Sequence, residues 1–197
     1  GVFATLSASG ATIRAIPHGD AAELHGVNSR AELARAEAFL RLRKLTCLME
    51  SGVTVRDPAT TYVDVDVSVG ADSTLYPGTI LEGSTVVGAG CVIHSGVRVT
   101  DSQIGNHVTI LDGTIVEESS VDAEATLGPY ARLRPGSEIG PGVKIGNFVE
   151  TKASRLGAGS KAGHLTYLGD AHIGENVNIG AGTITCNYDG SKKHKTV

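Results

Sequence analysis

At 197 residues with 41% apolar content, the chain is long enough for one or two packed domains and too apolar to be a disordered segment. A net charge of −4 with no long basic stripe argues against nucleic acid as a partner, and no apolar run approaches the roughly 18–20 residues of a membrane span. The three cysteines, Cys47, Cys91 and Cys186, are far apart, so they read as neither a disulfide framework nor a zinc site; with no secretory leader, a reducing cytoplasm is the expected location.

Residues 1–28 are mixed in character: Ala11–Pro17 (ATIRAIP) has the look of a strand, and the HGD and HGVN stretches look like turns. Residues 29–50 read as a helix. Ser29 followed by Glu32 is a capping box, in which hydroxyl and carboxylate each satisfy an orphan N–H. Leu33, Ala36, Leu40, Leu45, Leu48 and Met49 approximate one apolar stripe, and Arg41, Arg43 and Lys44 suit the C-terminal half. Gly52 is the expected terminator.

From Val63 onward the chain repeats. Apolar residues recur at every sixth position (Val63, Val69, Leu75, Leu81, Val87, Ile93, Val99), with occasional five-residue steps, through Leu133, Ile139, Ile145, Thr151, Leu168 and Thr185; glycine often follows directly. This is the hexapeptide pattern of a parallel β-helix, in which three short strands make a coil and no coil is stable alone. Gly1 in place of methionine, and an end at Lys195–Val197 where another strand would begin, lead to the expectation of a piece of a longer chain.

The repeat serves as a ruler, because equivalent positions on successive coils lie about 4.8 Å apart. Leu133, Thr151, Leu168 and Thr185 form one column, so Arg134 and Lys152, each one residue further on, should be neighbours. Two bare cations that close repel unless an anion lies between them, and a phosphate is the obvious one. On spacing alone, a solvated ladder or pairing with surface carboxylates is an equal reading. Glu150 and Tyr167 fall on adjacent coils just before the same column and would suit sugar hydroxyls or an amine, or simply each other. A second column, Ile145, Ala162 and Ile179, places Asn147, His164 and Ala181 together two residues on, with Asn178 close by. A lone histidine in a repeat is more often a corner residue bonded to backbone than a catalyst. His18 and His25 lie in turns, and His194 lies in the basic run Lys192–Lys195.

Five stretches in order, RLRPG (132–136), GNFVETK (146–152), SKAGHLTYLGD (160–170), NVNIG (176–180) and AGTITCNYDG (181–190), together with GVNSR (26–30) and RDPA (56–59), closely resemble one family. It is that of the bifunctional bacterial N-acetylglucosamine-1-phosphate uridyltransferases/glucosamine-1-phosphate acetyltransferases. The resemblance covers essentially the whole chain. It implies a mainly β fold: a left-handed parallel β-helix over 53–197, a linker helix over 29–52, and in 1–28 the tail of an α/β Rossmann-like uridyltransferase domain. The left hand is the family's, since periodicity does not carry it. The resemblance further implies a cytoplasmic homotrimer that acetylates glucosamine-1-phosphate from acetyl-CoA and makes UDP-N-acetylglucosamine from UTP with Mg²⁺, for cell-wall and lipopolysaccharide precursors. On it, His164 is the general base, an imidazole whose ordinary pKa near 6.5 leaves it neutral at cytoplasmic pH. Glu150 orients the imidazole or the amine. Arg134, Lys152 and Lys193 hold the phosphate, and Tyr167 and Asn178 hold the sugar. Ala181, Asn187 and Tyr188 line the acetyl-CoA side, where backbone N–H groups stabilise the oxyanion. Asn28 matches a Mg²⁺ ligand whose partner aspartate is expected upstream. Since both ends of the family pattern are missing, the piece alone is expected to do neither reaction well.

Three other readings compete. A β-helix carbonic anhydrase needs histidines on one face, but His164 and His172 fall in different columns. A purely structural trimer leaves the cluster of Arg134, Glu150, Lys152, His164 and Tyr167 without a purpose. An acetyltransferase for another amino sugar is the serious rival, and dependence on the substrate's phosphate separates the two.

Overall fold

The computed structural model describes residues 1–197, the side chain of Ala22 excepted. The chain divides into two compact units, Gly1–Ala38 and Phe39–Val197.

In the first unit, helix α1 (Val2–Ala8) is followed by irregular chain and a 3₁₀ turn at Ala21–Leu24. Ala11–Pro17 is not a strand, contrary to its local pattern. A strand exists through the hydrogen bonds of a neighbour, and none pairs with this segment among the described residues.

Helix α2 (Arg30–Glu50) starts as its capping box predicts. The Glu32 N–H donates to Ser29 Oγ at 3.2 Å, and Glu32 Oε2 accepts the N–H of Asn28 at 2.7 Å. The Asn28 N–H, then the Ser29 hydroxyl, hold the Glu32 carboxyl below its usual range. The predicted apolar stripe needs correction, because only Leu45 and Leu48 are buried, whereas Leu33, Leu40 and Met49 are exposed. Within the second unit it is the last turns of α2 that lie on the first coil. Lys44 Nζ donates there to the carbonyls of Val65 (2.8 Å) and Val67 (2.6 Å), and the Arg41 guanidinium lies 4.2 Å from the Tyr62 ring centroid. Gly52, at φ +96°, ends the helix, and the Val53 N–H returns to the Leu48 carbonyl.

The rest is a parallel β-solenoid of about seven turns. Register follows the sequence ruler: Leu81 pairs with Val99, Leu133 with Thr151, Thr151 with Leu168, Ile145 with Ala162, and Ala162 with Ile179. The solenoid begins one strand earlier than the periodicity suggests, at Thr54–Val55. The inward residues of the three columns form one continuous core from Leu45 to Leu168. Small hydroxyl residues fill the corners and bond to neighbouring backbone; Ser119 Oγ and Ser137 Oγ both donate to the Arg134 carbonyl, at 3.1 and 2.7 Å.

Thr114 departs from that rule. Its Oγ1 is buried with no hydrogen-bond partner, in a column where Val97 and Val149 also stand. An unsatisfied buried hydroxyl costs about 1–3 kcal/mol. Thr114→Val is therefore expected to raise the melting temperature by about 2–4 °C, read by calorimetry.

Two coils differ from the others. Elsewhere strands last two or three residues, but Lys144–Lys152 and Lys161–Gly169 run unbroken for nine residues each and pair along that length. These two strands pass through the corner and join two faces of the solenoid into a single sheet.

Candidate active site

Four of the predicted site residues lie on the two long strands: Glu150 and Lys152 on the first, His164 and Tyr167 on the second. Register puts Glu150 beside Tyr167, Lys152 beside Gly169, and Asn147 beside His164, as the spacing predicts. Gly169 takes the place a third cation would hold, and its missing side chain makes room for the Tyr167 ring, which an added Cβ would strike.

Arg134 and Lys152 sit on neighbouring coils, and each pairs with a carboxylate, one of the readings that spacing alone left open. Arg134 Nη1 pairs with Glu150 Oε1 at 2.9 Å, and Lys152 Nζ pairs with Asp170 Oδ2 at 3.2 Å. The first is one of a series along this face, after Glu82–Arg98 at 2.7 Å and Glu117–Arg132 at 3.3 Å. The reason is register: a charged side chain just after the column on one coil lies diagonally next to the opposite charge just before it on the next coil. Glu150 therefore faces Arg134 and is not bonded to the imidazole it was expected to orient.

Lys193 joins this group. Its amine is pushed below the usual lysine range by the neighbouring Lys152, with Arg134 adding to the effect. Lys152 is held above the usual range, its charged form favoured by the Asp170 carboxylate. Three cations face two carboxylates here, leaving one uncompensated positive charge.

Lys193 arrives on a loop that breaks the repeat. Tyr167 bridges Ile184 and Ala171 bridges Thr196, so four steps on one coil become twelve on the next. The eight extra residues form a loop organised by Asp189, whose Oδ1 accepts the N–H groups of Ser191 (2.8 Å) and Lys192 (2.6 Å) and whose Oδ2 meets His194 Nε2 at 2.7 Å. The Lys192 N–H, then His194, lower the Asp189 carboxyl to about 2. A carboxyl depressed on folding contributes in full above its unfolded value near 3.9 and loses that contribution as pH falls through about 2. The Ser191 and Lys192 amides are thus expected to stay protected from hydrogen exchange down to about pH 3 and to lose protection below the Asp189 value.

Asn187 and Tyr188, expected on the acetyl-CoA side, both bond to backbone: Asn187 to the second long strand and Tyr188 within the loop. Asn187 Nδ2 donates to the Gly169 carbonyl at 2.6 Å, and Tyr188 Oη donates to the Gly190 carbonyl at 2.8 Å. Ala181 is exposed, and Asn178 is exposed beside Lys161.

The His164 imidazole is exposed and makes no hydrogen bond among the described residues. The backbone-bonded corner histidine is therefore not what stands here. Beside it, at the next position, is an unusual column. The corner reads Gly96, Gly113, then Tyr130, Phe148 and Leu165, then Gly182, and all adopt φ between +50° and +77° in the same left-handed region. Tyr130, Phe148 and Leu165 are 58, 57 and 60% exposed, and the first two rings stack with centroids 5.9 Å apart. Large apolar side chains there bear a backbone cost of about 1 kcal/mol or more each that glycine avoids.

Over 188 residues, 95% of this chain, the sequence is 50% identical to the bifunctional protein GlmU of Thermodesulfovibrio yellowstonii. It is likewise 50% identical over 196 residues to the GlmU proteins of Pelobacter propionicus and Carboxydothermus hydrogenoformans. The chain belongs to the GlmU family. It spans 42, 43 and 44% of those three proteins, matching their C-terminal part. No protein-family model matches it. Among solved structures, the acetyltransferase domain of PglB from Neisseria gonorrhoeae is 16% identical, with a TM-score of 0.45 over 60% of this chain and 53% of that one, too distant to bear on chemistry.

In this GlmU-family chain Asn28, the residue matched to a Mg²⁺ ligand, lies just before helix α2. Its side chain offers one amide oxygen, and no group of three His, Cys, Asp or Glu residues suited to a metal occurs among the described residues. Mg²⁺ needs about six oxygens, some of them anionic, so Asn28 would hold it only together with further ligands. No helix among the described residues is long and apolar enough to cross a membrane.

Sequence reasoning missed Asp170. It follows the second long strand directly, at φ +47°, and nothing in the hexapeptide ruler marks that position as facing Lys152. The one available signal was the GD ending of SKAGHLTYLGD.

Proposed function

We propose that this chain is the acetyltransferase part of a bifunctional GlmU, moving an acetyl group from acetyl-CoA to the amine of glucosamine-1-phosphate. The observation that carries this reading is the pairing of an unbonded imidazole, His164, with a net-positive cluster of Arg134, Lys152 and Lys193 around the same two long strands. The phosphate binds that cluster, with Arg134 supplying a planar fork and the lysines point charges. Tyr167 and Asn178 contact the sugar. The substrate amine attacks the thioester carbonyl, His164 takes the proton the nitrogen sheds and hands it to the departing sulfur as the carbon–sulfur bond breaks, and CoA leaves as its thiol. Acetyl-CoA lies along the Ala181–Tyr188 side.

The same reading makes the protein a homotrimer. Three apolar side chains held in a strained corner, exposed and adjacent to His164, are suited to the wall of a neighbouring copy. The uridyltransferase reaction, with UTP and Mg²⁺, belongs to the remaining length of such a protein, in the cytoplasm.

The test is CoA release from acetyl-CoA by a full-length GlmU carrying this chain, with glucosamine-1-phosphate and with glucosamine. Release with the phosphorylated sugar alone supports both the reaction and the anion site. Release with glucosamine equally well overturns the phosphate assignment and favours another amino sugar as acceptor.

A further inference from the structure

Asp170 touches both the Lys152 side chain and the two ends of the loop that carries Lys193. Its carboxylate meets Lys152 Nζ at 3.2 Å, with both side chains about three-quarters buried (27 and 24% exposed). Its N–H donates to the Lys152 carbonyl at 2.9 Å. Its own carbonyl accepts the Asn187 side-chain amide at 3.4 Å, where the inserted loop begins, and the Thr196 N–H at 3.1 Å, where the loop ends. One residue thus holds the Lys152 side chain and both feet of the loop that delivers Lys193. It does so from a left-handed backbone at φ +47°, a region that aspartate and asparagine tolerate better than most residues.

We propose that Asp170 is a positioning residue for a phosphate clamp: its carboxylate holds the Lys152 ammonium next to Lys193 while its backbone anchors the Lys193 loop. The proposal rests on the acetyltransferase reading above. Two close ammonium groups repel, so without a counter-charge they splay apart or one gives up its proton. Either outcome weakens a clamp for a phosphate. Counting charge alone gives the opposite result, because removing a carboxylate makes the cluster more positive and more attractive to an anion. The direction of the effect therefore separates positioning from bulk electrostatics.

The variant is Asp170→Asn in a full-length GlmU carrying this chain, since asparagine keeps the size and the backbone preference. The expected result is a KM for glucosamine-1-phosphate raised about tenfold, with kcat changed by less than about threefold. The alkaline limb of the kcat/KM profile moves to lower pH, because the lysines have lost the carboxylate that favours their charged form. A KM that is unchanged or lower, or an alkaline limb that does not move, overturns the proposal. If Asp170→Asn does not fold, Asp170→Glu takes its place. It keeps the charge but displaces it by a methylene, and it should raise KM while leaving the alkaline limb near its original position; no change in KM overturns the proposal. The unmutated protein is assayed alongside. If it releases no CoA with glucosamine-1-phosphate, the acetyltransferase reading falls, and Asp170 is then judged by titration with inorganic phosphate, which should bind more weakly to the variant and on equal binding refutes the clamp.

Discussion

Replacing His164 with alanine is expected to lower acetyl transfer by about 10²–10⁴-fold, the usual contribution of a general base. The melting temperature should move by less than about 2 °C, because an exposed side chain without hydrogen bonds carries little of the fold. The split between these two measurements makes the result informative. Ala162, two residues earlier, is fully buried in the core column, and the Thr166 side chain bonds the His164 carbonyl at 3.0 Å. The backbone at His164 is thus fixed by its neighbours and does not depend on the imidazole. Binding of glucosamine-1-phosphate should survive, since the side chains proposed to hold its phosphate, Arg134, Lys152 and Lys193, are untouched. Full activity in the variant would remove His164 from the chemistry. A large fall in melting temperature would make it a structural residue.

The solenoid was legible because its physics is local and repetitive. One apolar side chain per strand must point inward, so the spacing of Leu133, Thr151 and Leu168 gives their register directly, and the pairings of Glu150 with Tyr167 and Asn147 with His164 follow. The same logic failed wherever a residue answered to something other than the coil above or below. Ala11–Pro17 has strand-forming residues but no partner strand. Leu33 and Leu40 have helical spacing but stay exposed, because periodicity tells which residues share a face and not what covers it. The Arg134–Glu150 and Lys152–Asp170 pairs lie diagonally across coils, and a ruler that compares identical positions does not see diagonals. The inserted loop carries Lys193 off the ruler altogether, so its place beside Lys152 came only from family resemblance. The corner at Tyr130, Phe148 and Leu165 was missed for another reason: hexapeptide corners favour glycine, and a pattern search passes over the positions where glycine is absent.

Glycine is also the subject of the second large effect. Gly146 and Gly163 stand at equivalent positions on the two long strands, each following its core residue, Ile145 or Ala162. A Cβ built on Gly146 would land on the Gly163 carbonyl oxygen, and the obstacle is backbone, not a side chain able to swing aside. The φ of Gly146 is not in the left-handed region, so the barrier to substitution is contact between coils and not dihedral strain. Gly146→Ala must therefore push the coils apart where Asn147 faces His164. Overpacking of this kind costs about 1–3 kcal/mol or more, which should lower the melting temperature by roughly 5–10 °C and acetyl transfer along with it. Gly163 and Gly180, one and two coils further on, meet nothing within 4 Å when given a Cβ. Gly163→Ala and Gly180→Ala should accordingly leave the melting temperature of the isolated chain within about 1–2 °C. If those two variants fold normally yet lose transfer or trimer assembly, the open face beside His164 is one that acetyl-CoA or a neighbouring copy approaches closely, and the glycines are there to admit it. If Gly146→Ala melts with the parent, the tight contact between the long strands does not exist in solution, and the register that places Asn147 against His164 loses its support.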